Sequence, residues 1–195
     1  MKNNGCFFLF GLLAASHLPA QTHAQRLEIT ITDDKNGASI PCRIHLKDAN
    51  GKAVKADKLP FFNDHFVCPG KVQLDLSAGN YSYEVEHGPE YLMRTGSVMV
   101  TAGLTQSLAL KLERLADLAA EGWWSGDLHV HRPVEDIELL MQAEDLHVAP
   151  VMTWWNARNE WRDKKPPAAL LVQFDRNRFY HLMAGEDERE GGALL

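Results

Sequence analysis

The chain has 195 residues, of which 45% are hydrophobic and 24% are charged, and its formal net charge is −6. A chain of this length can hold one large or two small domains with a buried core. Both signs of charge are interspersed, and because a phosphate-binding surface needs clustered Lys and Arg, the composition argues against nucleic acid as a partner.

The N-terminal segment has the pattern of a secretory signal peptide. A basic residue precedes an apolar run over residues 6–15, and small residues flank position 23. This run of about ten residues is too short to cross a bilayer of roughly 30 Å as a helix. We expect residues 1–24 to be removed after Ala24, with Ala20 as the alternative cleavage position. The mature chain would then be secreted or periplasmic, without a transmembrane segment.

Export leaves two cysteines in the mature chain, Cys42 and Cys68. An oxidising compartment allows this pair to form a disulfide, but a domain of this size does not require one. A disulfide and two free, buried thiols are therefore both open interpretations of the sequence.

Residues 25–114 are predicted to form an all-β sandwich. Apolar and polar residues alternate over 27–32, as in a half-buried strand, and turn sequences separate this segment from those that follow. Strands are predicted over residues 27–32, 40–46, 66–68, 72–76, 81–86, 96–101 and 106–112. Several short strands with turn signals between them are typical of a β-sandwich. His45, His65 and His87 have no acidic partner at ligand spacing, so we expect them to be surface or loop residues.

The sandwich segment resembles the small β-sandwich modules found beside secreted carboxypeptidases and other exported hydrolases. The resemblance is carried by Leu-Ser-Ala-Gly-Asn-Tyr at residues 76–81 and by Gly-Pro-Glu-Tyr at residues 88–91. It implies a non-catalytic accessory domain used for docking or binding.

After the last sandwich strand the pattern changes to that of an α/β domain. Residues 113–121 are predicted to be a linker or a short helical turn, and they lead into a strand over 127–131 that stops at Pro133. Apolar residues then recur at helical spacing over 134–146, before an apolar strand over 148–153. A strand, a helix and a strand form a βαβ unit, which needs a parallel sheet and a right-handed crossover.

Further apolar segments follow a polar loop over residues 156–167. An apolar stretch spans residues 168–174, a strand is predicted over 179–184, and one more begins at residue 193. A complete barrel of β/α units takes roughly 250 residues. We therefore predict a multidomain fold in which the all-β sandwich precedes the first part of an α/β domain, a β/α barrel, over residues 115–195. We expect the chain to be the front part of a longer protein.

Candidate metal ligands lie on the first strand of this second domain. Asp127, His129 and His131 alternate along it, so their side chains share one face while Leu128 and Val130 pack on the other. Neutral imidazoles suit zinc, iron, nickel or copper, so two of them on one rigid strand are plausible ligands. Polar residues that fall together by chance on a wet strand face are the competing interpretation.

Two more strand ends supply polar and aromatic residues, at 153–156 and at 186–188. Functional residues of β/α barrels lie at the C-terminal ends of strands. Two histidines and a carboxylate from different strands, with space for water, suit a hydrolytic metal centre. A solvated turn is the competing interpretation of the acidic residues at 186–188.

The sequence Gly-Asp-Leu-His-Val-His at residues 126–131 resembles the first motif of the PHP superfamily (polymerase and histidinol phosphatase domain). It is most similar to the exported CehA/McbA-type metallohydrolases, which often have a β-sandwich ahead of the catalytic domain. The resemblance implies a distorted seven-stranded β/α barrel that binds two or three metal ions and hydrolyses phosphoesters or related esters.

The same resemblance implies roles for individual residues. His129 and His131 would be the first metal ligands. The family's acidic ligand follows a Gly-x-acid pattern, which falls here on Asp187, with Glu186 as the alternative. Asp127 would orient a histidine rather than bind the metal directly.

The second strand end departs from the family pattern. The family has Asp-His before Asn at this position, whereas this chain has Trp154-Trp155-Asn156. Tryptophan is not a metal ligand, since its indole N–H only donates hydrogen bonds. Trp154, Trp155 and Asn156, together with Arg132, are instead candidate substrate-binding residues.

Three functional hypotheses follow. The first is an exported PHP-type hydrolase that depends on zinc, manganese or iron and acts on a small-molecule or polymer substrate. The second is a non-catalytic relative with a degenerate metal site, which binds a ligand such as a sugar through its tryptophans. The five tryptophans are Trp123, Trp124, Trp154, Trp155 and Trp161. The third is the amidohydrolase superfamily, which also has His-x-His at its first strand end.

Overall fold

The computed structural model describes residues 25–195, so the signal peptide expected over residues 1–24 lies outside the described residues. The described chain forms thirteen β-strands and one α-helix. The strands are β1 (Arg26–Asp33), β2 (Cys42–Lys47), β3 (Phe61–Phe62), β4 (His65–Cys68), β5 (Lys71–Asp75), β6 (Gly79–Glu86), β7 (Arg94–Val100), β8 (Thr105–Leu112), β9 (Val148–Trp155), β10 (Arg158–Asn159), β11 (Leu171–Gln173), β12 (Phe179–Arg189) and β13 (Gly192–Leu194). The helix is α1 (Ile137–Ala143), and short 3-10 turns span Leu118–Glu121 and Val134–Asp136.

The first eight strands form a β-sandwich, as the sequence predicts. A three-stranded sheet with the order β5-β1-β8 packs against a five-stranded sheet with the order β3-β4-β2-β6-β7. Every second residue of β1 is buried, and Leu27, Ile29 and Ile31 lie in one core with Ile44 and Leu46 of β2. Alternating burial gives each strand one apolar face, and removing those faces from water holds the two sheets together.

The remaining strands form a third sheet with the order β10-β9-β12-β11, in which β13 also pairs with β12. Strands β9 and β12 are parallel, whereas β10, β11 and β13 run antiparallel to their neighbours. The segment that contains the His-x-His pair reaches β9 only through isolated bridges, from Gly126 to Val148 and from Val130 to Val151. The strand predicted over 127–131 is therefore not continuous, and Leu128, which was expected to pack, is exposed.

The α/β barrel predicted for residues 115–195 is wrong. The described chain has a single α-helix of seven residues, and its third sheet is mixed rather than parallel. A parallel barrel needs a helical crossover between successive parallel strands. Between β9 and β12, however, the chain forms the short antiparallel strands β10 and β11. The fold is therefore nearly all-β.

The helix predicted over residues 134–146 is shorter than expected. A 3-10 turn, Val134–Asp136, precedes α1, and the helical hydrogen bonding ends before Asp145. Asp145 has a φ of 52°, in the left-handed region that commonly ends helices.

Helix α1 joins the third sheet to the sandwich. Its residues Leu140 and Ala143 share a small buried cluster with Val67 of β4. On another face, Ile137 and Met141 belong to the core beneath the third sheet. The helix is therefore buried on both sides, and it fixes the third sheet against the sandwich.

Gly88 and Asp145 both contribute to the contact between the sandwich and the segment around α1. Gly88 has a φ of 54°, and a Cβ there would lie 2.7 Å from the carbonyl oxygen of Glu144, so a side chain has no room. The buried Asp145 carboxylate accepts hydrogen bonds from Arg114, which follows β8, and from Arg178, which precedes β12. This charge network links the sandwich to the third sheet.

Candidate metal centre

The structure brings His129, His131 and Glu186 together at one edge of the third sheet. Glu186 lies towards the C-terminal end of β12, where it pairs with Trp155 at the end of β9. Val130, between the two histidines, is buried and bridges to β9. Because Val130 faces the core, both imidazoles project to the opposite side.

The three side chains converge through single atoms. The Nε2 atoms of His129 and His131 lie 3.0 and 2.8 Å from Oε2 of Glu186, and 2.9 Å from each other. Glu186 is 3% exposed, whereas the side chains of His129 and His131 are 43% and 35% exposed. The carboxylate therefore forms the base of the cluster, and the imidazoles border the solvent.

A cation suits this cluster better than protons do. A carboxylate only accepts hydrogen bonds. If both Nε2 atoms were protonated, their hydrogens would crowd each other across a separation of 2.9 Å. If one Nε2 atom were unprotonated, its lone pair would face the lone pairs of the carboxylate oxygen, and the two would repel each other. A cation at the centre would accept all three lone pairs and remove both conflicts.

The charge state of Glu186 also fits a metal ligand. The neighbouring imidazoles, His129 first and then His131, hold the pKa of Glu186 below its usual range, against the opposing effect of burial. The carboxylate is therefore ionised at neutral pH, which is the form that binds metals.

The spacing of the ligand atoms agrees with ordinary coordination. Ligands about 2.0–2.1 Å from a metal ion are about 3.0 Å apart along an octahedral edge and about 3.3 Å apart along a tetrahedral edge. The separations here, 2.8–3.0 Å, are close to the octahedral edge and somewhat shorter than the tetrahedral edge. Two imidazoles and one carboxylate could hold zinc, manganese or iron and leave positions open for a ligand oxygen.

Of the two acidic residues proposed as ligands, Glu186 occupies the site and Asp187 does not. Asp187 follows it on β12 and forms an ion pair with Arg189 at 2.7 Å. Asp127 does not contact either imidazole ring through its carboxylate in the structure; its Oδ1 accepts the backbone N–H of His129 at 3.0 Å. Asp127 therefore orients the backbone of this segment.

A cavity of about 230 Å³ opens beside the cluster. Its lining includes His131, Arg132, Glu135, Trp155, Arg158 and Glu160. The Trp155 ring meets the His131 ring edge-on at 4.7 Å between centroids, and the Arg158 guanidinium lies 4.5 Å above the Trp155 ring. Of the four candidate substrate-binding residues, Arg132 and Trp155 border this cavity.

The other two candidates, Trp154 and Asn156, are occupied elsewhere. The Trp154 ring packs on Gly185, where a Cβ would lie 2.9 Å from a ring carbon. Asn156 donates to the Glu188 carboxylate at 2.7 Å and accepts the Glu188 backbone N–H at 3.1 Å. These contacts fix the ends of β9 and β12.

The five tryptophans do not line one common pocket. Trp124 stacks on Phe179, at the start of β12 and away from the cluster. Trp161 donates its indole N–H to the carbonyl oxygen of Leu182 at 3.2 Å and packs on the core of the third sheet. Trp123 is 70% exposed. Trp155 is the tryptophan whose ring contacts a candidate ligand.

The sequence interpretation missed a second group of potential ligands, in the sandwich. His45, Asp64 and His65 lie close together, although no acidic partner was expected near these histidines. His87 was expected at the surface, but it is buried and its Nδ1 lies 2.6 Å from the carbonyl oxygen of Pro41. Spacing along the chain gave no signal for the group of His45, Asp64 and His65, because His45 on β2 is distant in sequence from the adjacent pair Asp64 and His65.

No protein-family model and no curated protein matches this chain. Among solved structures, the chain is similar to the minor pilin GBS52 of Streptococcus agalactiae, with 14% identity and a TM-score of 0.39 over 49% of this chain and 46% of that chain. The pilus 2b backbone protein of group B streptococcus matches with 16% identity and a TM-score of 0.39 over 49% of this chain and 43% of that chain. A DUF3823 family protein from Bacteroides uniformis matches with 11% identity and a TM-score of 0.30 over 47% of this chain and 43% of that chain. The chain thus spans less than half the length of these structures, and the likeness is one of fold alone.

The assignment to the PHP superfamily is wrong. Residues 25–195 form a β-sandwich and a mixed sheet with one α-helix of seven residues, and not the β/α barrel that this superfamily implies. The hydrolysis of phosphoesters or related esters was implied by that resemblance, so it loses its support together with the barrel. Within residues 25–195, no helix combines the length and apolar composition that crossing a bilayer requires.

Proposed function

We propose that this chain is an exported, non-catalytic binding protein whose site is a divalent metal ion held by His129, His131 and Glu186. The observation that carries the proposal is the convergence of three ligand atoms, each within 3.0 Å of the other two. Zinc, manganese and iron are the candidate ions. Export is supported by the signal-peptide pattern over residues 1–24.

The ligand would be a carbohydrate or another oxygen-rich small molecule that coordinates the metal through its oxygen atoms. The cavity beside His131 supports this ligand class. Trp155 offers an aromatic ring that can pack on the apolar face of a sugar, and Arg132 and Arg158 offer donors for hydroxyl or carboxylate oxygens. Both imidazoles are partly exposed, so the open coordination positions would be accessible from solvent.

Metal content tests the centre itself. We expect the purified mature chain to hold about one more metal equivalent than the His129→Ala/His131→Ala variant, because three ligands from the protein bind zinc-type ions stably. Glu186→Gln should lose the same equivalent. Glu188→Gln is the matched control, since Glu188 lies two residues further along β12 and bonds Asn156 instead. Equal metal content in the wild type and the double variant would refute the centre.

Calorimetric titration with a panel of neutral sugars and uronic acids tests the ligand class. Binding should require the metal and disappear in EDTA. Trp155→Ala should weaken it by about tenfold, which corresponds to about 1.4 kcal/mol, whereas Trp154→Ala should leave it unchanged because Trp154 packs on Gly185. Sugar binding that persists in EDTA would contradict a metal-dependent site.

A further inference from the structure

A second group of ligand-type side chains lies on the outer face of the five-stranded sheet. His45 is on β2, Asp64 and His65 come from the hairpin that joins β3 to β4, and Glu86 is on β6. Strand β2 lies between β4 and β6 in this sheet. Ile44 of β2 is buried in the sandwich core, so the next residue, His45, faces outward.

The Asp64 carboxylate lies between the two imidazoles. His45 Nδ1 is 3.2 Å from Asp64 Oδ2, and His65 Nδ1 is 3.5 Å from Asp64 Oδ1. The ring centroids of the two histidines are 4.8 Å apart. The histidine side chains are 17% and 15% exposed, whereas Asp64 is 45% exposed. The imidazoles are thus held by packing, and the carboxylate side of the group opens to solvent.

The second nitrogen of His45 has a carboxylate partner of its own. His45 Nε2 lies 3.5 Å from Glu86 Oε2, and Glu86 is held by Arg43 at 3.0 Å. In protein metal sites, the imidazole nitrogen that does not bind the ion commonly donates to a carboxylate, which fixes the ring and its tautomer. Glu86 is placed for that role, which leaves His45 Nδ1 free to bind an ion beside Asp64.

Lys47 is the cation that now neutralises Asp64. Its Nζ lies 3.2 Å from Asp64 Oδ2. The Lys47 side chain is 39% exposed, so it can turn into solvent when another cation takes its place.

We propose that His45, Asp64 and His65 form a zinc site in the sandwich, separate from the centre on the third sheet. Two imidazole nitrogens, one carboxylate oxygen and a water complete the four-coordinate shell that zinc prefers. An ion bound there ties β2 to the β3–β4 hairpin. Because binding to the folded chain alone favours the folded state, zinc should also raise the melting temperature of the sandwich.

The test is a calorimetric titration with zinc chloride of the mature chain carrying His129→Ala and His131→Ala, which removes the other centre. This variant should bind about one zinc equivalent and melt at a higher temperature when zinc is present. Adding Asp64→Asn should weaken the binding by about tenfold or more. Adding Lys47→Gln should strengthen it, because the competing ammonium is gone.

A double variant that binds no zinc would overturn the proposal, and so would zinc binding that neither Asp64→Asn nor Lys47→Gln changes. A network of ion pairs without a metal role predicts the first of these results. Circular dichroism shows whether Asp64→Asn is folded. If it is not, the zinc affinity of the Lys47→Gln variant tests the proposal instead. The two sites fail separately: if the wild type and the double variant bind equal zinc, the third-sheet centre is refuted while the sandwich site stands.

Discussion

We expect Asp145→Asn to lower the free energy of unfolding by about 2–4 kcal/mol. The Asp145 side chain is 9% exposed, and its two oxygens accept hydrogen bonds from Arg178 at 2.6 Å and Arg114 at 3.2 Å. Hydrogen bonds to charged groups contribute about 1.5–3 kcal/mol each, and breaking a buried ion pair costs about 3–5 kcal/mol. The loss should stay below their sum, because Arg114 keeps Glu90 at 3.0 Å and Arg178 keeps Asp175 at 2.9 Å.

The substitution isolates the charge, since asparagine readily adopts the left-handed φ of 52° found at Asp145. Asp117→Asn is the matched control. Asp117 pairs with the same Arg114 at 3.4 Å, but it is 52% exposed, so its loss should cost at most about 0.5 kcal/mol. Urea unfolding with unchanged m-values measures both. Equal midpoints for the two variants would show that the buried network does not stabilise the contact between the sandwich and the third sheet.

Tyr91→Phe removes a hydroxyl that donates to Asp33 at 2.9 Å and should cost about 1–2 kcal/mol at pH 7. Burial raises the pKa of Asp33, but hydrogen bonds from backbone amides and Tyr91 hold it below its usual value. The wild type therefore loses this stability as the pH falls below about 4, and a variant difference that does not begin to shrink below that pH argues against the account. Cys42 and Cys68 are free thiols at paired positions of β2 and β4, so mild oxidation should form a disulfide between them within one chain. Thiol titration of the denatured protein measures this, and two free thiols after oxidation would contradict the prediction. Cobalt binding at the third-sheet centre should quench tryptophan fluorescence, and quenching undiminished in Trp155→Phe would place the ion elsewhere, because Trp155 contacts a ligand imidazole.

The sandwich could be predicted because alternating burial is a local property of the sequence. Leu27, Ile29 and Ile31 show the period of two by themselves, and the structure buries all three. His129 and His131 were predictable as a pair for the same reason, since residues two apart on an extended segment project together. In each case the face on which a side chain lies follows from residues next to it in the sequence.

The barrel prediction failed because it depended on pairing between distant segments. The helical period over residues 134–146 was read as a full crossover helix, but it contains only α1 before the chain turns at Asp145. Residues 168–174 showed only an apolar stretch in the sequence, and within it residues 171–173 pair antiparallel with β12. The direction of a strand follows from the partner it finds, which periodicity does not encode.

The sequence by itself determined the alternating strands of the sandwich and the side-by-side placement of His129 and His131. Only the tertiary structure showed that Glu186, and not Asp187, lies beside the two imidazoles, because adjacent residues of a strand face opposite sides and a shift of one residue exchanges them. This placement follows from the parallel register that pairs Glu186 with Trp155. The group around His45 and Asp64 also depends on contacts between segments that are far apart in sequence. Strand register and turn geometry, rather than spacing along the chain, set the distance between these side chains.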